Sequence, residues 1–129
     1  MRPPLILIIE DDASVRGLIE TMMEMQNYEV IVAKDGLEGL VKLEFRHPSV
    51  VILDVMMPNI DGGRVLKEMR EDVRMRNVPV LVVTGRASAH EDFDGVVGSE
   101  NVIVKPFDPE ELAHRVAELI ADERPKGWG

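Results

Sequence analysis

Short aliphatic runs alternate with helix-period segments along this chain. The runs are Leu5 to Ile9, Glu29 to Ala33, Val50 to Asp54, Pro79 to Thr84 and Asn101 to Val104. Three of them are nearly unbroken Val, Ile and Leu, the pattern of strands buried on both faces of a parallel sheet. Short buried helices are the alternative. The β-branched content and lengths of four to six residues count against it.

Between the runs, apolar residues recur with helical spacing. In Ala13 to Gln26 the expected buried face is Val15, Leu18, Ile19, Met22 and Met25. Leu37, Leu40 and Val41 play that part in Gly36 to Phe45, and Val65, Leu66 and Met69 in Gly62 to Glu71. Ala89 to Val97 is the weakest helix, with Gly95 inside it and Gly98 after it. A last helix opens at Asp108-Pro109-Glu110-Glu111, a cap residue, a first-turn proline and an acid three residues after the cap. Its stripe is Leu112, Val116, Leu119 and Ile120. Asn27 is placed to end the first helix in a left-handed turn. The order is (βα) five times, which predicts a doubly wound α/β fold. Its sheet is parallel with strand order 2-1-3-4-5, helices cover both faces, and the crossovers are right-handed.

Composition narrows the function. The chain has 129 residues and no cysteine, which excludes a disulfide scaffold, a thiolate metal site and a cysteine nucleophile. Lys and Arg total 15 against 24 Asp and Glu, a formal charge of −9, so direct nucleic-acid binding by this chain is not expected. No apolar run approaches the length of a membrane span. The opening MRPPLILIIEDD does not read as a secretory signal, because its apolar stretch is short and runs into three acids. Cytoplasmic residence is expected. Residues 1–121 are expected to form one domain, with 122–129 as a tail or the start of a linker, Trp128 included.

The chemistry lies where strands end. Glu10, Asp11 and Asp12 follow the first strand, Asp54 ends the third, Thr84 ends the fourth and Lys105 follows the fifth. In such a sheet sites form beyond the carboxyl ends of strands at the switch point of strand order, so the acids after strand one and Asp54 should share a crevice. Two like charges 4 Å apart repel by about 4 kcal/mol at an effective dielectric near 20. Lys105 supplies one compensating charge. A hard cation, Mg²⁺, suits the remaining all-carboxylate site. Asp12 instead fits a helix cap.

IEDD at 9–12, DVMMPNIDG at 54–62, VVTG at 82–85 and VKPF at 104–107 resemble the receiver domain of two-component response regulators, in order and over residues 5 to about 121. The resemblance implies that Asp54 accepts a phosphoryl group and that Asp11 binds Mg²⁺, with Glu10 acting through water. It further implies that the Met56 backbone carbonyl binds the metal, that Thr84 contacts the phosphoryl group and that Lys105 pairs with it. Gly85 matches the small residue beside the phosphate, Pro106 a cis peptide position, and Pro58, Asp61 and Gly62 the loop after the acceptor. The implied donor is a phosphohistidine on a sensor histidine kinase or a histidine phosphotransfer protein. An unidentified effector lies downstream, and the acyl phosphate hydrolyses slowly. This is self-modification chemistry in a signalling module rather than conventional turnover. A homodimer through helix four, strand five and helix five stays open.

Two features depart from the family. The position three residues before the lysine, often aromatic, is Val102. The segment from Thr84 to Lys105 is one residue short and reads Gly98-Ser99-Glu100-Asn101-Val102. The aromatic half of the usual switch is therefore missing, while Thr84, the loop 85–89 and the surface of helix four are still expected to respond. Arg86 either faces the site, where it would tune hydrolysis, or is solvated. His47, His90 and His114 read as surface residues, and Phe107 as a core anchor. Three rival classes remain. A phosphohydrolase or mutase would want a second acid where Met56 stands, and a cap domain. A flavin-binding domain would want phosphate-cradling Ser, Thr or Gly after strand one. A degenerate receiver acting only as a binding module would not need Glu10, Asp11, Asp54, Thr84 and Lys105 together.

Overall fold

A computed structural model describes residues 2–57 and 60–123, the side chain of residue 123 excepted. Pro58, Trp128 and the rest of 124–129 lie outside the described residues. Five parallel strands, β1 (Leu5–Ile9), β2 (Glu29–Ala33), β3 (Val50–Leu53), β4 (Val80–Thr84) and β5 (Val102–Val104), form one sheet in the order β2-β1-β3-β4-β5. Five helices connect or follow them: α1 (Ala13–Met25), α2 (Gly36–Phe45), α3 (Gly62–Glu71), α4 (Ala89–Val97) and α5 (Pro109–Glu123). This is the expected fold. α5 runs two residues into the segment read as tail.

The period of two along each strand divides the core into two layers. Leu7, Ile9, Val51, Leu53, Val80, Val82 and Val102 face α2, α3 and α4. Ile6, Ile8, Val50, Ile52, Leu81, Val83 and Ile103 face α1 and α5. Residues on both faces are buried, which is why these strands are continuous aliphatic runs rather than alternating ones. β2, at the edge, is mostly half-buried.

Caps set the helix starts. Asp12 accepts from the backbone N–H of Ser14 and Val15, Asp35 from that of Glu38, and Asp61 from that of Arg64. Asp108 accepts from the N–H of Glu110 at 2.9 Å. Asn27 takes φ 65° after α1, as expected. The stripes of α3 and α5 are buried as read.

Two helix faces need correcting. In α1 the buried residues are Ile19 and Met23, while Leu18 and Met25 are 50% and 75% exposed. In α2, Gly36, Gly39 and Leu43 are buried and Leu37 and Val41 are exposed. A Cβ at Gly39 would lie 2.5 Å from Ile9 Cδ1, so this helix rests on the sheet through glycine. Three strand starts or ends also differ by a residue. Asp54 lies just past β3, Pro79 just before β4, and Asn101 in a 3-10 turn (Ser99–Asn101) before β5.

Candidate functional site

β1 and β3 are neighbours with matched ends, Ile9 opposite Leu53. The residues that follow, Glu10 and Asp54, therefore leave the sheet side by side. The Asp54 N–H donates to the Ile9 carbonyl at 3.0 Å, and the Glu10 N–H to that of Ala33 at 3.1 Å. One carboxylate oxygen each from Glu10, Asp11 and Asp54 lies within 4.8 Å of the others. Glu10 and Asp54 are buried, and Asp11 is exposed at the mouth.

Lys105, carried across the sheet by β5, closes the pocket. Its Nζ donates to Glu10 Oε1 at 2.7 Å and to Asp54 Oδ2 at 3.1 Å. The other Asp54 oxygen accepts from the Met56 N–H at 2.9 Å. Burial pushes the Glu10 carboxyl up from its ordinary 4.5 to about 7, against the pull of the Lys105 hydrogen bond. Burial also works against the Lys105 charge, yet the Glu10 hydrogen bond and the Asp54 charge outweigh it and raise the ammonium pKa.

The remaining expected residues gather around this group. Thr84 is fully buried at the end of β4, and its carbonyl accepts the Lys105 N–H at 2.8 Å. Its hydroxyl oxygen accepts the Arg86 N–H at 3.3 Å. Gly85 is exposed, and a Cβ there would meet nothing within 4 Å. The Lys105–Pro106 bond is cis. Met56 projects its side chain to solvent. Behind Asp54, Gly62 leaves no room for a side chain, since a Cβ would sit 2.4 Å from Val55 Cα and 2.8 Å from the Asp54 carbonyl.

Some expectations lie away from the pocket. Asp12 caps α1, its carboxyl held below the usual range by the Ser14 hydroxyl and the N–H groups of Val15 and Ser14. The three histidines are on the surface, and Phe107 packs half-buried against the α1–α5 layer. Arg86 pairs with Asp92 of α4 and stacks on Phe93. Arg16 was not anticipated. Its Nη1 donates to the Glu10 carbonyl at 2.9 Å and reaches that of Asp11 at 3.4 Å, bracing the acidic loop from the first turn of α1. Only its position six residues after Glu10, on the turn facing that loop, hints at this role.

An acidic pocket with a single lysine, at the switch point of a 2-1-3-4-5 parallel sheet, places the chain among the doubly wound signalling folds rather than the nucleotide-binding ones. The chain belongs to the response regulator receiver domain family of two-component signalling, whose sequence model it matches over residues 6–117. It is 37% identical over 116 residues to a probable transcriptional regulator, ycf27, of Cyanophora paradoxa, covering 89% of this chain and 47% of that protein. It is 37% identical to the alkaline phosphatase synthesis transcriptional regulatory protein PhoP of Bacillus subtilis, covering 89% of this chain and 48% of that one. The chain thus spans about half the length of the curated relatives it matches. Among solved structures, the Francisella response regulator 1452 receiver domain superposes with a TM-score of 0.83 at 31% identity, covering 94% of this chain and 99% of that one. The chemotaxis response regulator CheY4 of Vibrio cholerae gives 0.81 at 30% identity, covering 91% and 98%.

Proposed function

We propose that the domain takes a phosphoryl group from a phosphohistidine onto Asp54 and later releases it as inorganic phosphate. The observation that carries this reading is the buried Asp54 carboxylate, held by Lys105 and the Met56 N–H beside two further acids. In the transfer the donor's N–P bond breaks as an Asp54 O–P bond forms, and the imidazole leaves. Water attack on phosphorus then restores the carboxylate. Such chemistry asks mainly for positioning and charge neutralisation. Lys105 stabilises charge on one phosphoryl oxygen, the Thr84 hydroxyl donates to another, and Gly85 leaves space for the group. The donor set of Glu10, Asp11, Asp54 and the Met56 carbonyl is all oxygen and fits Mg²⁺. When bound, the ion supplies the positive charge that the carboxylates and incoming phosphoryl group share.

A sensor kinase or phosphotransfer protein is the proposed donor, and the proposed setting is the cytoplasm. Val15, Leu18, Pro106, Phe107 and Pro109 form an apolar groove that includes Lys105 in its lining. It offers the donor protein a seat at the edge of the acceptor pocket. The test is incubation with acetyl phosphate, read as intact mass. The protein gains one phosphoryl mass with Mg²⁺, and the gain disappears with a chelator or in Asp54→Asn. Equal labelling of that variant would refute the assignment. A domain that only binds partners would remain unmodified under every condition.

A further inference from the structure

Arg86 links the acceptor end of β4 to α4. Its backbone N–H holds the Thr84 hydroxyl oxygen. Its guanidinium lies over the Phe93 ring, 5.7 Å from the centroid, and Nη1 meets Asp92 Oδ2 at 3.4 Å. The same Asp92 oxygen accepts from the Ser88 hydroxyl at 2.8 Å, across the first turn of α4. Phe93 is buried in the layer that contains Ala89, Val82 and Val102. With Val102 on β5, Phe93 is the one aromatic ring among the described residues of that layer.

This arrangement is easily exchanged. The Arg86 and Asp92 side chains are both more than a third exposed, and an ion pair so solvated holds its arginine only weakly. A phosphoryl group on Asp54 is a stronger competitor, with a charge near −2 and three acceptor oxygens that match the guanidinium fork. We propose that Arg86 is a movable cation. It leaves Asp92 and Phe93 for the phosphoryl group when Asp54 is modified, and so frees the start of α4. The inference rests on the acceptor role of Asp54 and names the regulation of that site. Lys105, already committed to Glu10 and Asp54, stays in place. What moves is the cation attached to α4. Coupling of this kind is reciprocal, so weakening the Arg86–Asp92 pair must strengthen phosphoryl binding.

The experiment titrates nitrogen-labelled protein with beryllium fluoride, a non-covalent phosphoryl mimic, in the presence of Mg²⁺. Amides at 54–56 report occupancy, and amides at 89–97 with the Arg86 Nε–H report the exchange. In the wild type both sets shift with one midpoint. Asp92→Asn binds the mimic about two- to five-fold more tightly, and its free spectrum over 89–97 is already displaced toward the bound positions. Arg86→Ala binds about ten-fold more weakly, and its 89–97 response falls by more than half at saturation. An unmoved Arg86 Nε–H in the saturated wild type would overturn the proposal. So would a full α4 response in Arg86→Ala, or unchanged affinity in Asp92→Asn. If the folded wild type shows no occupancy at 54–56, the acceptor reading itself fails, and this inference with it.

Discussion

At the scale of single residues, the site is a balance of buried charges. Glu10, Asp11, Asp54, Thr84 and Lys105 were legible because each is a polar residue that interrupts or follows an aliphatic run, and such positions open onto one crevice in this topology. Arg16 was not legible, because a helix-borne arginine that bonds backbone carbonyls looks in sequence like any solvated one. The raised Glu10 carboxyl has a consequence with a definite sign. Folding takes up a proton between 4.5 and about 7, so the cation-free protein loses stability as pH rises through that window. The proposed Mg²⁺ site requires the ionised carboxyl, so on this reading its affinity rises over the same interval. Calorimetric titration near pH ~6 and ~8 should show tighter binding at the higher value, with the difference largely lost in Glu10→Gln. Equal affinities in the wild type would contradict the placement of Glu10 in the cation site. Gly62 provides a stability test. A Cβ 2.4 Å from Val55 Cα forces the loop after Asp54 to move, so Gly62→Ala should lower stability in urea by about 1–3 kcal/mol.

Elements were read more securely than their faces. All five strands and five helices appear in order because buried parallel strands and capped helices leave strong local patterns. The faces of α1 and α2 were drawn from apolar residues alone, and that rule misled. In α1 the buried face centres on Ile19 and Met23, placing Leu18 and Met25 on its flanks. In α2 the close contact with Ile9 of β1 is made by Gly39, and that with Ile60 and Val65 by Gly36, residues that carry no hydrophobic signal. Two methionines on one helix separate the readings. Met23→Ala should cost about 2–5 kcal/mol in denaturant melts, and Met25→Ala should fall within about 0.5 kcal/mol of wild type. Similar losses for both would restore the original face. Leu18 also lines the groove proposed to seat the donor protein. Leu18→Asp should slow phosphotransfer from a kinase at least about ten-fold while leaving labelling by acetyl phosphate unchanged. Equal slowing with both donors would remove α1 from the docking surface.

For the molecule as a whole, the two-layer core fixes the sheet, and the sheet brings four residues far apart in sequence into one pocket. Glu10, Asp54, Thr84 and Lys105 leave three adjacent strand ends and one edge strand at the same side of the sheet. The whole chain carries a formal charge of −9, so the proposed phosphoryl group would be held by local cations against an unfavourable overall field. The chain matches about half the length of relatives that are named as transcriptional regulators. The most direct measurement of the central claim traps the modification where it forms. After incubation with acetyl phosphate and Mg²⁺, borohydride reduction converts an aspartyl phosphate to homoserine, which peptide mass mapping locates. The account predicts conversion at position 54 and at no other acid. Conversion at Glu10 or Asp11, or a label that resists reduction and maps to a hydroxyl or histidine side chain, would contradict it.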